Sequence, residues 1–174
     1  MLKKWKIISP IILFLLSFPI HFLYTWFTNI ITSFFAPVNE SIFEHMKMIY
    51  TTYLLFSLIE YIYIKFKNIK VNNICINPFL SGLLNIFIFL IMYLPIRIIL
   101  NESMIITFII LFISFIITSY ISYKILLGRN ILNKYIGITL TLIMYIPFIY
   151  YTYNPIHNEF FYDSKNEIYG IKKM

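Results

Sequence analysis

Five apolar stretches of about twenty residues each, separated by short polar segments, follow one another along this chain, and hydrocarbon is the solvent they suit. They cover residues 7–28, 42–64, 78–99, 104–127 and 133–153. At about 1.5 Å of rise per residue, each is long enough to cross roughly 30 Å of bilayer core. Backbone groups without partners are prohibitively costly there, so each stretch must be a helix. The composition agrees: 60% of the residues are hydrophobic and only 12% charged, where a soluble domain carries about a quarter charged. The sequence thus predicts an all-α fold, a polytopic transmembrane bundle of five spans. Residues 1–174 form a single integral membrane domain, with residues 154–174 as a polar tail.

Lys3, Lys4 and Lys6 precede an apolar run too long for a cleaved leader, so the first span reads as a retained signal anchor. Orientation follows from the basic residues. Lys3, Lys4, Lys6, Lys65, Lys67, Lys70, Lys124, Arg129 and Lys134 fall on one side, read as cytoplasmic. Lys47, Arg97, Lys165, Lys172 and Lys173 fall on the other, with every acid except Glu60. The N-terminus is then inside and the C-terminus outside, in a multi-pass protein of the cell membrane. The net charge of +7 reflects this bias and an attraction to anionic membrane lipids, and implies no nucleic acid partner. Cys75 stands alone, which excludes an intrachain disulfide and a thiolate metal cluster.

The chain's polarity concentrates in one island, Ala36 to Lys47, which the predicted topology turns outward. Ser41 and Glu44 have the spacing of a capping box, and Asn39 offers a second cap. Capping requires neither His45 nor Glu40. On a helix, Glu40, Glu44, Lys47 and Thr51 share one face, and Ser41, His45, Met48 and Thr52 the adjoining one. His21, inside the first span, needs polar company at that depth. The carbonyl of Leu15, freed by Pro19, would supply a purely structural partner.

The expectation is therefore a site in which Glu44, His45 and His21 act as acid–base groups or as ligands of a divalent metal such as zinc. Glu40, Arg97 and His157 stand behind them, and Arg97 is placed to neutralise Glu44 or to hold an anionic headgroup. Pro19, Pro95 and Pro147 lie at one level in three spans and could splay them into an outward vestibule. The tail, through His157 and Asp163, could close over the island, or its aromatic residues could rest among lipid headgroups. On the inner side, Glu60 is expected to pair or share a polar network with Lys124, with Lys65 on the same helix as the competing partner.

His21, the run Pro37-Val38-Asn39-Glu40-Ser41 with Glu44, His45 and Lys47, and the tail from Asn154-Pro155 through Phe161, Asp163 and Tyr169-Gly170 together resemble a family of uncharacterised small multi-pass membrane proteins from bacteria. The resemblance covers most of the chain. It implies a bacterial inner-membrane protein of this topology and no particular reaction. The pattern departs from ceramidase-like membrane hydrolases, which have more spans and more His and Asp residues, so no zinc site is carried over from them.

Two classes of function fit these residues. One is a membrane-embedded, hydrolase-like enzyme acting on a lipid or lipid-linked substrate. The other is a non-catalytic small transporter or accessory subunit whose island binds an ion or the helix of a membrane protein partner.

Overall fold

In segments this apolar the backbone finds its partners within its own helix, and helices dominate the computed structural model, which describes residues 1–100 and 103–171. Four are long: α1 (Leu2–Trp26), α3 (Ile42–Phe66), α4 (Asn77–Leu100) and α5 (Met104–Leu127). Between the first two lies the short α2 (Ile30–Phe35), and the chain continues into α6 (Lys134–Ile143) and α7 (Tyr145–Tyr153). A two-stranded antiparallel hairpin follows, β1 (Tyr162–Asp163) and β2 (Ile168–Tyr169), with Tyr162 opposite Tyr169. The fold is all-α apart from that hairpin. Glu102, Lys172 and Lys173, which enter the charge argument, lie outside the described residues.

α1 packs against α3 and α5, and α4 packs against the same two, so the four long helices close a ring with α3 and α5 on one diagonal. Leu13, Ile49, Phe56 and Phe115 fill its centre. Ile62, Ile91, Ile105 and Leu142 remain exposed on the outside, as lipid-facing side chains do. α6 lies on α4, and α7 on α2 and α3. Gly137 allows the first of these contacts: a Cβ there would stand 2.8 Å from the backbone nitrogen of Ile76, so backbone meets backbone.

α1, α4, α5 and the segment Lys134–Tyr153 are each long and apolar enough to cross a membrane. α3 has the length but carries Glu44, Lys47, Glu60 and Lys65. α1 and α4 run through Pro19 and Pro95 as single helices. At the third proline the helix breaks, because Pro147 has no N–H for the carbonyl of Ile143 and its ring crowds that group. Met144 accordingly ends α6 and starts α7. α2, between the first two expected spans, is nucleated by Asn29, whose Oδ1 accepts from the N–H groups of Ile31 and Thr32 at 2.9 and 3.0 Å.

Glu60 pairs with Lys6, not with Lys124. Lys6 Nζ lies 2.6 Å from Glu60 Oε1, and both side chains are almost wholly buried. Trp5 Nε1 and Asn77 Nδ2 also donate to this carboxylate, at 3.0 and 3.2 Å, while Lys6 donates to Ser122 Oγ at 2.6 Å. The ring explains the choice: α1 adjoins α3, whereas α5, which carries Lys124, is diagonal to it. Lys124 is exposed, with Nζ 5.5 Å from the Tyr120 ring centroid.

Candidate functional site

Ser41 caps α3 by accepting from the N–H of Glu44 at 3.3 Å. The return half of the capping box is not made, because the N–H of Ser41 donates to Asn39 Oδ1 at 2.9 Å. This leaves the Glu44 side chain free to turn inward. Its Oε2 takes Lys47 Nζ at 2.6 Å and the N–H of Val38 at 3.0 Å, and its Oε1 takes the hydroxyl of Thr152 at 2.6 Å. Lys47 completes its donors on the Ser33 carbonyl and Thr152 Oγ1, both at 2.8 Å. Glu44 and Lys47 thus form a satisfied, buried ion pair that ties α2, α3 and α7 together. Lys47, rather than Arg97, neutralises Glu44.

A different carboxylate joins the histidines. Glu40 precedes the helix cap, and its freedom from the helix lets the side chain swing over the end of α1. Glu40 Oε2 lies 3.6 Å from His21 Nε2 and 3.7 Å from His45 Nε2. One ligand atom from each of the three residues falls within 4.8 Å of the others. The two imidazole centroids are 5.3 Å apart. His21 and His45, expected together, do converge; Glu44, expected with them, is replaced by Glu40.

The distances are too long for good N–H···O bonds, which fall at about 2.7–3.2 Å. Tetrahedral bonds of about 2.0–2.1 Å place neighbouring donor atoms about 3.3 Å apart, so these three residues could hold a shared ion by drawing slightly together. His45 is oriented for this. Its Nδ1 lies 2.9 Å from the Ser41 carbonyl, which can only accept, so Nδ1 carries the hydrogen and Nε2 of the neutral ring presents a lone pair toward Glu40. Fixing a histidine tautomer through a backbone carbonyl is how metal-ligating imidazoles are commonly held. His21 Nδ1 is buried without a hydrogen-bond partner, so the Leu15 carbonyl does not hold this ring. The adjacent His21 ring is the main influence keeping the carboxyl of Glu40 below its usual range; burial opposes it, and the charge of Lys165 adds to it.

The tail fixes Glu40 from above. Asp163 is fully buried, and its Oδ2 accepts from the N–H of Glu40 at 2.9 Å and from Asn166 Nδ2 at 2.8 Å. Its Oδ1 accepts from the N–H groups of Lys165 and Asn166 at 2.9 and 3.0 Å. Burial alone would raise the Asp163 carboxyl, but these bonds outweigh it and hold the group below its usual range. Asn39 Nδ2 donates to the Gly170 carbonyl at 2.9 Å, and the N–H of Phe43 to that of Phe160 at 3.1 Å. Gly170 closes this contact with φ of +59°, and a Cβ there would stand 2.6 Å from the Thr152 carbonyl oxygen. The tail therefore packs onto protein, with Phe161 buried against Phe43. His157 stays apart, exposed and stacked on Tyr169 with centroids 4.6 Å apart. Arg97 is half-buried on α4 and is not part of the cavity wall described next.

His21, Glu40 and His45 stand at the edge of a cavity of about 480 Å³ between α1, α3, α4 and α5. Phe18, Phe22, Phe89, Tyr93, Phe108 and Leu111 make its apolar wall, and Ser164 and Lys165 reach it from the hairpin turn. The cavity lies at the end of the bundle where the prolines suggested a vestibule, and its size and lining are those of a ligand pocket. Chemically, the arrangement offers two imidazoles and a carboxylate converging beside an apolar chamber.

The chain belongs to a family of unknown function, DUF6512, whose family model matches residues 1–171. No curated protein and no solved structure matches it. Among the described residues, α1, α4, α5 and the α6–α7 segment are long and apolar enough to cross a membrane, which suggests a membrane protein.

Proposed function

We propose that this is a five-span membrane enzyme of the hydrolase type, whose outward-facing His21–Glu40–His45 site binds a divalent metal such as zinc and acts on a lipid or lipid-linked substrate held in the adjoining cavity. The convergence of three ligand atoms within 4.8 Å, at the edge of an apolar cavity, carries the reading. α3 is the fifth span: its length matches its neighbours', it sits in the ring with α1 and α4, and Glu44, Lys47 and Glu60 are neutralised inside the protein. The basic residues still favour a cytoplasmic N-terminus, which turns the site and the tail outward.

Two nitrogens and one carboxylate leave a fourth position open, as in catalytic rather than closed structural zinc sites. A metal held by His21, Glu40 and His45 would supply Lewis acidity toward an ester or phosphoryl group and would make water acidic enough to attack near neutral pH. The chain's own contribution is orientation. Ser41 fixes the His45 ring through its carbonyl, Asp163 fixes the backbone of Glu40, and the aromatic wall holds an acyl chain away from water.

A second reading, a non-catalytic transporter or accessory subunit, draws on the buried polar line of Asn77, Ser81, Asn85, Thr118 and Ser122 on α4 and α5, because intramembrane polar groups often mark ion paths. Hydrolysis separates the two. Purified protein in mild detergent with added zinc should release fatty acid or headgroup from a panel of ester and phosphoester lipids, a chelator should stop it, and His45→Ala should abolish it while the fold survives. Folded, zinc-loaded protein without turnover on that panel would favour the second reading.

A further inference from the structure

Lys165 is the one ammonium or guanidinium group on the cavity wall among the described residues, exposed at its rim, and beyond its pull on the Glu40 carboxylate the arrangement of His21, Glu40 and His45 gives it no role. It sits in the turn Asp163-Ser164-Lys165-Asn166, whose backbone is built around the buried carboxylate of Asp163: both oxygens are filled by donors from Glu40, Lys165 and Asn166. The same carboxylate that sets the position of Glu40 therefore sets the position of Lys165. Ser164, its neighbour, adds a hydroxyl to the wall. Opposite, the cavity is apolar, with Phe18, Phe22, Phe89 and Phe108 facing the space a chain would occupy.

Resting on the site proposed above, we infer that the hairpin turn is a headgroup clasp and that the ligand is an amphiphile with a phosphate-bearing headgroup. Lys165 supplies the point charge, a common role for lysine toward phosphate. The Ser164 hydroxyl and the imidazole edge complete the polar end, and the acyl chain lies against the phenylalanines. A headgroup without an anion would gain nothing from Lys165. Free phosphate would satisfy the clasp but forgo the apolar wall.

The test compares three probes on full-length protein in detergent: a short-chain lysophosphatidate, the monoacylglycerol with the same chain, and inorganic phosphate. Binding is measured with and without zinc, and metal content is determined on the same samples. The wild type should hold the lysophosphatidate about tenfold more tightly than the monoacylglycerol, and inorganic phosphate more weakly than either. Lys165→Gln should cut that preference to about twofold and leave monoacylglycerol binding and metal content unchanged. The turn should survive this change, because Asp163 bonds the backbone N–H of Lys165 and not its side chain. Equal affinity of the wild type for both lipids, or a preference untouched by Lys165→Gln, would overturn the clasp. Inorganic phosphate binding as tightly as the lysophosphatidate would overturn the amphiphile. A lost metal with the lipid preference intact would count against the metal site alone.

Discussion

Glu60→Gln should be among the most destabilising single changes available inside the bundle, and the reason is the company the carboxylate keeps. It receives Lys6 Nζ at 2.6 Å, Trp5 Nε1 at 3.0 Å and Asn77 Nδ2 at 3.2 Å, with 2% of its side chain exposed. A glutamine can keep its Oε1 toward Lys6 and Trp5, but it then turns an amide donor toward Asn77 Nδ2 and leaves the buried ammonium without a counter-charge. Breaking a buried ion pair from one side costs about 3–5 kcal/mol; Lys6 lies in the first two turns of α1 and can extend toward water, so about 2–4 kcal/mol is expected here. Removing both charges, in Lys6→Met with Glu60→Gln, should recover about half of the Glu60→Gln loss, roughly 1–2 kcal/mol. Unfolding by SDS titration, followed by Trp5 fluorescence in a Trp26→Phe background, reports on this because Trp5 donates to Glu60 and stacks on Tyr63 at 4.1 Å. Lys124→Gln serves as the control and should change stability by less than about 0.5 kcal/mol, as exposed substitutions do. Equal losses in the single and double variants, or a rescue by Lys124→Gln, would refute the pairing.

Ser41→Ala should cost about 1 kcal/mol of stability through the lost cap; metal affinity should stay within about twofold by titration, because His45 leans on the Ser41 carbonyl and not its hydroxyl. The Asp163 carboxyl is held below its usual range in the folded protein, so its contribution is present at neutral pH and is lost as pH falls below about 4, the unfolded carboxyl's range, toward the folded value. Hydrogen exchange of the amides around 160–170 should therefore accelerate in acid, together with release of Glu40, whose carboxyl is depressed in the same direction; Asp163→Asn should show fast exchange already at neutral pH. Gly137→Ala should weaken the α6–α4 contact and lower the thermal midpoint by several degrees, since the new methyl would meet the backbone of Cys75 and Ile76 at 2.8–3.0 Å.

The helices were legible because hydrocarbon leaves the backbone so few alternatives. α5 covers Met104–Leu127, the same residues as its apolar run, with Gly128 just past its end. The capping role of Ser41 and the nearness of His21 to His45 were legible too, from spacing and from the cost of a lone imidazole at depth. Partner choice was not. Glu44 and Glu40 look alike in the sequence, and only the inward turn of one and the docking of Asp163, 123 residues away, on the other separates them. Lys6 was read as a topological charge because nothing local shows that α1 rather than α5 adjoins α3. The short helix α2 had a signal, Asn29 three residues before Thr32, but it sat in a stretch too brief for any periodicity.

Metal content bears most directly on the central claim that His21, Glu40 and His45 form one site. Protein purified without chelator and dialysed against trace zinc should retain one zinc per chain by elemental analysis. His21→Ala, Glu40→Ala and His45→Ala should each retain less than a tenth of that, while Glu44→Gln and His157→Ala retain it in whatever fraction stays folded. Wild-type protein with no retained metal, or zinc that persists through all three ligand substitutions, would contradict the account.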